Sequence, residues 1–217
     1  MPLPGIYFLV VETAFSLILA FLLVFLVPVA SSHGKVILAL IFFFSVSLCI
    51  ILSYSDVSLY PISNAIVLSY GISGGVALSK LLKHKFAYYV IILSILAFLD
   101  LLSFLSGAQG GMPSGSVYLY LNTVYFLYGP HVIIGGGDIV FIAAVLNYFS
   151  EDGARRKELL LISVVAMILL PLVVSVPIRI LYNYQDGLPL LLSVLATLIL
   201  FKVLRRGSLK TLVHGLS

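Results

Sequence analysis

Apolar residues fill long, nearly uninterrupted runs along the chain, and short polar stretches separate the runs. A helix needs roughly 20 residues to cross a hydrocarbon core about 30 Å thick, and seven runs approach or exceed that length. The alternation of apolar and polar positions that marks a membrane β-strand is absent from nearly all of them, so each is predicted to be helical. The runs cover residues 6–30, 36–53, 60–79, 86–106, 130–149, 158–182 and 188–204.

The composition agrees with a membrane setting. Hydrophobic residues make up 62% of the 217-residue chain and charged residues only 9%, and the mean hydropathy is +1.22. Soluble domains do not reach such values, and no loop is long enough to hold a separate domain. The single cysteine, Cys49, excludes a disulfide within the chain. The sequence therefore predicts one membrane domain, residues 1–217, with an all-α fold: a multi-pass transmembrane helix bundle of about seven spans.

The basic residues indicate how this bundle is oriented. With seven spans, eleven of the twelve lysines and arginines fall on one side of the membrane, and only Arg179 lies near the other. The positive-inside rule makes the basic side cytoplasmic, so the N-terminus is predicted to be extracytoplasmic and the C-terminus cytoplasmic, in the plasma membrane if the chain is prokaryotic. The net charge of +4 then comes from topology signals that contact membrane lipid, and no nucleic acid partner is predicted. The eleven residues are Lys35, Lys80, Lys83, Lys85, Arg155, Arg156, Lys157, Lys202, Arg205, Arg206 and Lys210.

Asp100 and Asp138 lie deep within predicted spans, whereas most other acidic residues fall in loops or at a span edge. Glu12 lies in the first run, about 10 Å from the outer surface, and is predicted to be structural. Asp100 is fifteen residues from the cytoplasmic start of its span, and Asp138 is eight residues from the outer start of the next. At about 1.5 Å per residue, they lie about 22 Å above the inner surface and about 12 Å below the outer one, both in the outer half of the core. An ionised group at this depth costs about 3 kcal/mol, which marks both as candidate functional residues. For either residue alone, a neutral acid that hydrogen-bonds a neighbouring helix is the structural alternative.

Two antiparallel neighbouring helices can bring these carboxyl groups together. Carboxyl groups that share a site cannot both ionise easily, so one keeps its proton and the other loses it. The ionised group can take a proton from water while the protonated group polarises a peptide carbonyl, as in aspartic proteases. This chemistry predicts that Asp100 and Asp138 form a catalytic dyad, and it requires neither a metal nor another cofactor.

A run of glycines precedes the second aspartate. Gly135 is predicted to lie one helical turn before Asp138 on the same face, where the absent side chain lets a helix or a substrate strand approach the backbone closely. The sequence Gly135-Gly136-Gly137-Asp138 matches the G-x-G-D motif of the intramembrane aspartyl proteases, the presenilin and signal peptide peptidase family. The sequence IVFIAAVLNYF that follows resembles the signal peptide peptidase branch most.

The order and spacing of two further motifs extend this resemblance over residues 86–204. In the family, the first catalytic aspartate lies on the preceding helix after a tyrosine, and the matching pair here is Leu99-Asp100. A Pro-Ala-Leu motif begins the last helix of the family, and Leu188-Pro189-Leu190 stands at the start of the seventh run. The resemblance implies that residues 86–204 form the catalytic core helices.

The resemblance also implies a function and a set of site residues. An intramembrane-cleaving aspartyl protease hydrolyses peptide bonds within transmembrane-helix substrates, and the predicted orientation, shared with signal peptide peptidase, implies signal-peptide or type II membrane proteins. Because the family has nine spans, the chain corresponds to a presenilin-like core with the first two helices missing. The oligomeric state stays open, a homo-oligomer included. The implied catalytic residues are Asp100 and Asp138, and the implied substrate-binding residues are Gly135, Gly136, Gly137, Leu188, Pro189 and Leu190.

An uncharged segment links the two aspartate runs on the outer side. Its second half is rich in tyrosine and alternates over residues 117–121. An alternating segment beside the dyad could pair with an extended substrate strand, and an aromatic belt at the headgroups explains the same tyrosines equally well. Whether the segment at 116–128 gates substrate stays open.

Three alternative functions are less consistent with the sequence. Prepilin and preflagellin peptidases also use a G-x-G-D aspartate, but their dyad lies near the cytoplasmic face and they lack the late proline motif. Two carboxylates could relay protons in a small transporter, although inverted repeats and further buried charges are absent. Gly71-Ile72-Ser73-Gly74 resembles the serine motif of rhomboid proteases, but its one candidate base, His131, lies about 18 Å away along the membrane normal. Helix packing by small residues explains that stretch better.

Overall fold

The computed structural model describes residues 4–54, 60–83, 85–105, 118–121, 132–171, 173 and 190–214. Most of these residues are helical, which confirms the all-α class in outline. The helices follow the predicted runs because most runs are apolar throughout and bounded by charged or turn-forming residues. The described part contains seven α-helices: α1 Pro4–Ser31, α2 Lys35–Tyr54, α3 Tyr60–Leu81, α4 Phe86–Leu105, α5 Gly136–Glu151, α6 Arg156–Val164 and α7 Leu190–His214.

The sixth helix changes its winding before a proline. A π-helical segment, Val165–Leu169, continues α6, and residues 170 and 171 are helical again. Pro171 has no N–H to donate to the carbonyl of Met167 four residues earlier, so the α-helical bonding pattern cannot continue unchanged there. The wider π turn thus lies next to the position where an α-helical hydrogen bond is lost.

A two-stranded antiparallel sheet precedes α5. Strand β1, Tyr118–Leu121, pairs with strand β2, Val132–Gly135. The prediction of one continuous helix over 130–149 is therefore wrong at its start, because α5 begins only at Gly136. The β-branched residues of β2 favour extended backbone, and hydropathy alone does not distinguish a short apolar strand from the start of a helix.

Strand β1 occupies most of the alternating segment noted at 117–121. Its partner in the structure is β2 of the same chain, with Tyr118 opposite Gly135, and β1 also packs against α3. Because β2 ends at Gly135 and α5 begins at the next residue, the sheet is joined directly to the G-x-G-D segment.

Helix α3 lies at the centre of the bundle. It packs against α1, α2 and β1, and most extensively against α5. The two helices are parallel, since Gly71 lies against Ile139 and Gly75 against Ala143. Glycines permit this close approach: a Cβ on Gly71 would lie 2.5 Å from Ile139 Cγ2, and a Cβ on Gly75 would lie 2.6 Å from Ala143 Cβ. Small residues four positions apart commonly allow membrane helices to pack backbone to backbone. The α3–α5 pair therefore forms the centre against which the remaining helices pack.

Charged residues gather at one end of the bundle, which we call the basic end. Lys80 Nζ, at the end of α3, donates hydrogen bonds to the carbonyl oxygens of Ser31 and His33 at 2.7 and 2.6 Å. Lys202 of α7 forms an ion pair with Asp152, just after α5, at 3.0 Å. Helices α1, α3, α5 and α7 thus run towards the same end, and the loops that carry most of the basic residues meet there.

One described segment has the length and hydropathy of a membrane span. It is Thr13–Ser31, near the N-terminus, with a mean hydropathy of 2.6. Two apolar helical segments, Lys35–Ile51 and Phe86–Leu99, are shorter than a full span. Among the residues that the structure describes, no other helix meets this criterion.

Candidate active site

The first turn of α5 carries the G-x-G-D aspartate. Asp138 is the third residue of α5 and so lies near a helix end, not deep inside a helix as predicted. Gly135 is the last residue of β2, so the prediction that it lies one helical turn before Asp138 on the same face is wrong. The physical reason is the sheet, because Gly135 pairs with Tyr118 in extended conformation and cannot belong to the helix.

Gly136 is buried, and its missing side chain makes room for a tyrosine from α3. A Cβ at this position would overlap the hydroxyl oxygen of Tyr70. Tyr70 is only 7% exposed, and its ring packs edge-on against Phe42 with 6.1 Å between centroids. The Tyr70 hydroxyl therefore lies against the first turn of α5, two residues before Asp138.

The other side of this turn is more open. Among the described residues, a Cβ on Gly137 would meet nothing within 4 Å, and Asp138 is partly exposed. The Asp138 carboxylate is close enough to Tyr70 to interact with it electrostatically. Tyr70 thus closes one side of the turn, and the Gly137 side leaves space for an approaching group.

The height of Asp100 relative to Asp138 follows from a ring contact near the basic end. Asp100 lies in α4, and its side chain is outside the described part. Tyr89 of α4 and Tyr148 of α5 have ring centroids 5.0 Å apart. From this contact, Asp100 lies eleven residues along α4, about 16 Å, and Asp138 lies ten residues back along α5, about 15 Å. Since α4 runs away from the basic end and α5 towards it, both positions lie at nearly the same level.

The buried residues of α4 indicate which face carries position 100. Tyr89, Leu93 and Ala97 are 2%, 1% and 3% exposed, whereas Leu99 is 52% exposed. Eleven residues complete about three turns of an α-helix, so position 100 lies on the same stripe as Tyr89. This stripe is the inward face of α4 among the residues whose burial is described, and helical periodicity places position 100 in line with it.

Helix α7 reaches the same level with its first residue. It begins at Leu190 and runs in the same direction as α5, because Phe201 contacts Phe149 and Arg205, further along, contacts Asp152. Phe149 of α5 and Phe201 of α7 have ring centroids 6.4 Å apart. Asp138 and Leu190 each lie eleven residues before this contact, about 16 Å. The end of the predicted proline motif therefore lies level with both aspartates.

A buried hydrogen-bond network joins three helices near the basic end. The Oγ of Ser79 on α3 accepts hydrogen bonds from the Tyr89 hydroxyl at 2.7 Å and from the Asn147 side-chain amide at 2.9 Å. The same amide donates to Glu151 at 3.0 Å. Ser79 and Asn147 are fully buried. The network fixes the relative heights of α3, α4 and α5, and hence the register that makes the aspartates level.

Neither this network nor Tyr70 is among the sequence predictions. Asn147 did carry a signal, because a lone amide in the apolar sequence IVFIAAVLNYF must find a partner when buried. Its partner Ser79 lies 68 positions away in the chain, and sequence spacing does not reveal such a pairing. Tyr70 carried no signal, because a tyrosine in an apolar run is ordinary for a membrane helix.

Several residues weighed in the sequence lie outside the described part or have a different role. Leu188, Pro189 and His131 are outside it. Ser73 is 3% exposed, and its hydroxyl donates to the carbonyl oxygen of Ser69 at 2.7 Å, which agrees with a role in helix packing. Among the described side chains, no three His, Cys, Asp or Glu residues are grouped to hold a metal ion.

No family model, curated protein or solved structure matches the chain. Its own geometry is therefore the basis for assigning a function. Two aspartate positions and the start of α7 share one level of the bundle, with a partly exposed carboxylate, an inward second position and an open side at Gly137. A pair of carboxyl groups so arranged is suited to acid–base chemistry on a group that enters from the open side.

Proposed function

We propose that the protein is an intramembrane aspartyl protease in which Asp100 and Asp138 form the catalytic dyad. The observation that carries the proposal is the common level of the two aspartate positions on antiparallel helices, about 15 Å from the Tyr89–Tyr148 contact. A dyad at this height lies well away from the basic end. That height favours cleavage inside the bilayer over the prepilin type of peptidase, whose dyad lies near the cytoplasmic face.

A lipid environment explains the outer surface of the bundle. Val36, Phe44 and Leu40 of α2 are 71%, 68% and 65% exposed, and α4 and α7 present similar side chains. In water, each exposed side chain of this size would forgo about 1.5–3 kcal/mol that burial provides, whereas hydrocarbon imposes no such loss. Polar residues such as Ser79 and Asn147 are buried instead. This distribution supports a multi-pass bundle surrounded by lipid.

The positions of the two aspartates in their helices distinguish the ionised member of the dyad from the protonated one. Asp138 lies in the first turn of α5, where the helix dipole stabilises a negative charge. Asp100 lies more than one turn before the end of α4 at Leu105, so it gains no such stabilisation from a helix N-terminus. Asp138 is therefore the ionised base, and Asp100 holds the proton.

Peptide hydrolysis follows from this division. Asp138 takes a proton from a water molecule as the water oxygen bonds to the carbonyl carbon, and Asp100 donates its proton to the carbonyl oxygen. When the C–N bond breaks, the proton on Asp138 passes to the leaving nitrogen, and Asp100 recovers its proton from the hydroxyl group that becomes the new carboxyl. The products are a carboxylic acid and an amine, and both aspartates return to their starting states.

A substrate helix must be extended before the dyad can act. The open side at Gly137 leaves room for such a strand beside Asp138, and the adjoining β1–β2 sheet offers backbone groups to an extended segment. With the basic end in the cytoplasm, the favoured substrates are single helices with a cytoplasmic N-terminus, such as signal peptides and type II membrane proteins. Gly, Ser or Asn in their outer half should help, because unwinding in lipid costs several kcal/mol for each unpaired backbone group.

The test is cleavage of matched model helices by the protein in liposomes. Each helix is inserted in both orientations, after the termini of the enzyme have been mapped by protease accessibility. We expect cleavage in the outer half of helices with a cytoplasmic N-terminus, inhibition by a hydroxyl-containing transition-state isostere, and none by chelators or serine-directed reagents. Inhibition by serine reagents would favour Ser73, and proton flux without cleavage would favour the transporter alternative.

A further inference from the structure

Three consecutive basic residues begin α6 at the basic end of the bundle. All three are exposed, and none of them forms an ion pair with a described residue. The helix dipole disfavours positive charge in the first turn of a helix, so the stability of α6 does not account for them. Membrane orientation does not account for their position either, because the positive-inside rule counts basic residues anywhere in a short loop. The residues are Arg155, Arg156 and Lys157.

The acidic residues beside them have other partners. Asp152 and Glu158 contact Arg205 of α7 at 3.5 and 4.0 Å. Glu151 accepts a hydrogen bond from the Asn147 side-chain amide at 3.0 Å. The carboxylates of this loop are therefore engaged within the bundle, and the three basic residues carry positive charge that no described carboxylate offsets.

The guanidinium of Arg156 lies on the surface of α1. Its Cζ is 5.3 Å from the centroid of the Phe25 ring, which is within the range of a cation–π contact. Six residues, about 9 Å of helix, separate Phe25 from Ser31, where the membrane-length segment of α1 ends. The guanidinium therefore lies near the border of the apolar segment, where lipid headgroups begin. Its N–H groups donate no hydrogen bond to any described residue, although a guanidinium has five donors that suit a phosphate.

An exposed apolar stripe leads from this guanidinium into the membrane. Its residues follow one another three or four positions apart on α1, so they share one face of the helix. The stripe extends over eleven residues, about 16 Å, which is about half the thickness of a hydrocarbon core. It therefore matches the length of a lipid acyl chain in one leaflet. The residues are Ile18, Phe21, Phe25 and Val29, at 58%, 53%, 41% and 60% exposed.

We propose that residues 155–157 and this stripe form a binding site for one anionic phospholipid of the leaflet at the basic end. The lipid phosphate accepts two hydrogen bonds from the Arg156 guanidinium, and Arg155 and Lys157 offset the remaining negative charge. One acyl chain lies along the stripe of α1. The three positive charges favour an anionic headgroup over a zwitterionic one. The site does not depend on protease activity and requires only that lipid surrounds the bundle.

The first test measures which lipid contacts α1. The chain contains no tryptophan, so Phe25→Trp supplies a single fluorophore and keeps an aromatic ring beside Arg156. The protein is placed in mixed bilayers of phosphatidylglycerol and phosphatidylcholine, and either lipid carries bromine atoms on its acyl chains to quench tryptophan on contact. We expect phosphatidylglycerol to bind at position 25 about tenfold more tightly than phosphatidylcholine.

The control for position is Leu40→Trp on α2. Leu40 is 65% exposed and lies five residues from the start of its helix at Lys35, a depth close to that of Phe25. We expect less than about a twofold preference for phosphatidylglycerol there, because no comparable set of basic residues begins α2. An equal preference at positions 25 and 40 would show general attraction to the basic end and would overturn the proposal.

The second test substitutes Arg156 in the Phe25→Trp protein. Arg156→Gln should lower the preference about fivefold, and Arg156→Lys, which keeps the charge but loses the planar fork, about two- to threefold. Because Arg156 is exposed, neither substitution should disturb folding. Lys85→Gln is the matched control, because Lys85 also lies over an exposed ring at the basic end, 5.4 Å from that of Tyr88.

The control substitution should leave the preference at position 25 unchanged. Equal losses in Arg156→Gln and Lys85→Gln would overturn the proposal, because the net charge of the basic end would then explain the binding. Loss of the preference on addition of inorganic phosphate would show a site for soluble anions and would overturn it as well.

Discussion

The two ends of α5 are built in opposite ways. Near the basic end, Asn147 is fully buried and its amide donates hydrogen bonds to Ser79 and Glu151. At the other end, Gly137 leaves open space and Asp138 is partly exposed. At the basic end, side-chain contacts hold the helix in place. At the other end, glycine leaves the space beside the first turn unfilled. The contacts at the basic end determine the register of the neighbouring helices. That register determines where the Asp138 carboxylate lies relative to α4.

The hydrogen bonds at the basic end can determine the geometry of the candidate site about 15 Å away. A slip of α4 by one turn would move Asp100 by about 5 Å relative to Asp138, which is enough to separate a dyad. Contacts between apolar side chains are not directional, so they specify the relative height of two helices less sharply than hydrogen bonds do. Directional hydrogen bonds at the basic end do favour one height, because Tyr89 and Asn147 must both reach Ser79.

The largest effect is expected from the aspartates at the open end. Asp138→Asn or Asp100→Asn should lower kcat about a thousandfold or more, because each removes one acid–base group, while thermal unfolding stays near that of the wild type. Asp152→Asn, which changes a carboxylate at the basic end, should retain most activity. Cleavage in liposomes measures all three. Comparable activity in Asp138→Asn and Asp152→Asn would remove the functional contrast between the two ends.

Substitutions at Gly75 and Gly137 should distinguish an effect on helix packing from an effect on substrate access. Gly75→Val places atoms against Ala143 and the Val140 carbonyl, so we expect a loss of about 1–3 kcal/mol in unfolding free energy, measured by denaturant titration in detergent. Gly137→Leu meets open space and should leave stability nearly unchanged, yet lower kcat/KM about tenfold or more by filling the substrate path. If Gly137→Leu has wild-type kcat/KM, substrate does not approach from that side.

The buried network should matter for stability first and for activity second. Asn147→Ala leaves Ser79 and Tyr89 paired but removes the link to α5, and it should cost about 1–3 kcal/mol in unfolding free energy. Activity should fall severalfold through misplacement of the dyad, and tethering α4 to α5 by an engineered disulfide near the basic end should restore it. Loss of activity that the tether does not restore would argue against a register role.

The smallest effect is expected from the ion pairs of the basic end. Lys202 contacts Asp152, whose side chain is 41% exposed, and exposed pairs contribute about 0–1 kcal/mol. Lys202→Gln should therefore lower the unfolding free energy by less than about 1 kcal/mol, and less still at high salt. A loss above this range would show that the pair fixes α7 to α5 more strongly than its exposure indicates.

The sequence predicted the helices well and the start of α5 poorly, for one physical reason. Hydropathy locates apolar runs, and the runs 6–30, 36–53, 60–79 and 86–106 match helices to within two residues at each end. The predicted end of the run 158–182 lies outside the described residues, and the helix of the last run continues to His214, ten residues beyond the predicted end at 204. At 132–135, however, an apolar run continues while the backbone changes from strand to helix, and only pairing with β1 reveals the change. Short apolar segments fit both conformations.

The candidate site was predictable only where its residues are unusual for a membrane helix. Asp100 and Asp138 stand out in the sequence because intramembrane carboxylates are costly. Tyr70 and Ser79 do not stand out, because hydroxyl-bearing residues are common in such helices. Their roles depend on Gly136 and Asn147, which are distant in sequence and near only after folding.

The most direct test of the account is the proximity of positions 100 and 138 in the membrane. Cys49→Ser removes the single native cysteine, and Asp100→Cys with Asp138→Cys then supplies two thiols for a short bifunctional thiosulfonate, which spans more than a disulfide. Leu99→Cys with Asp138→Cys is the matched control, because Leu99 is at the same height but 52% exposed on the outer face. The account predicts efficient cross-linking of 100 to 138 and little of 99 to 138. Equal yields for both pairs, or a higher yield for 99, would contradict the shared site.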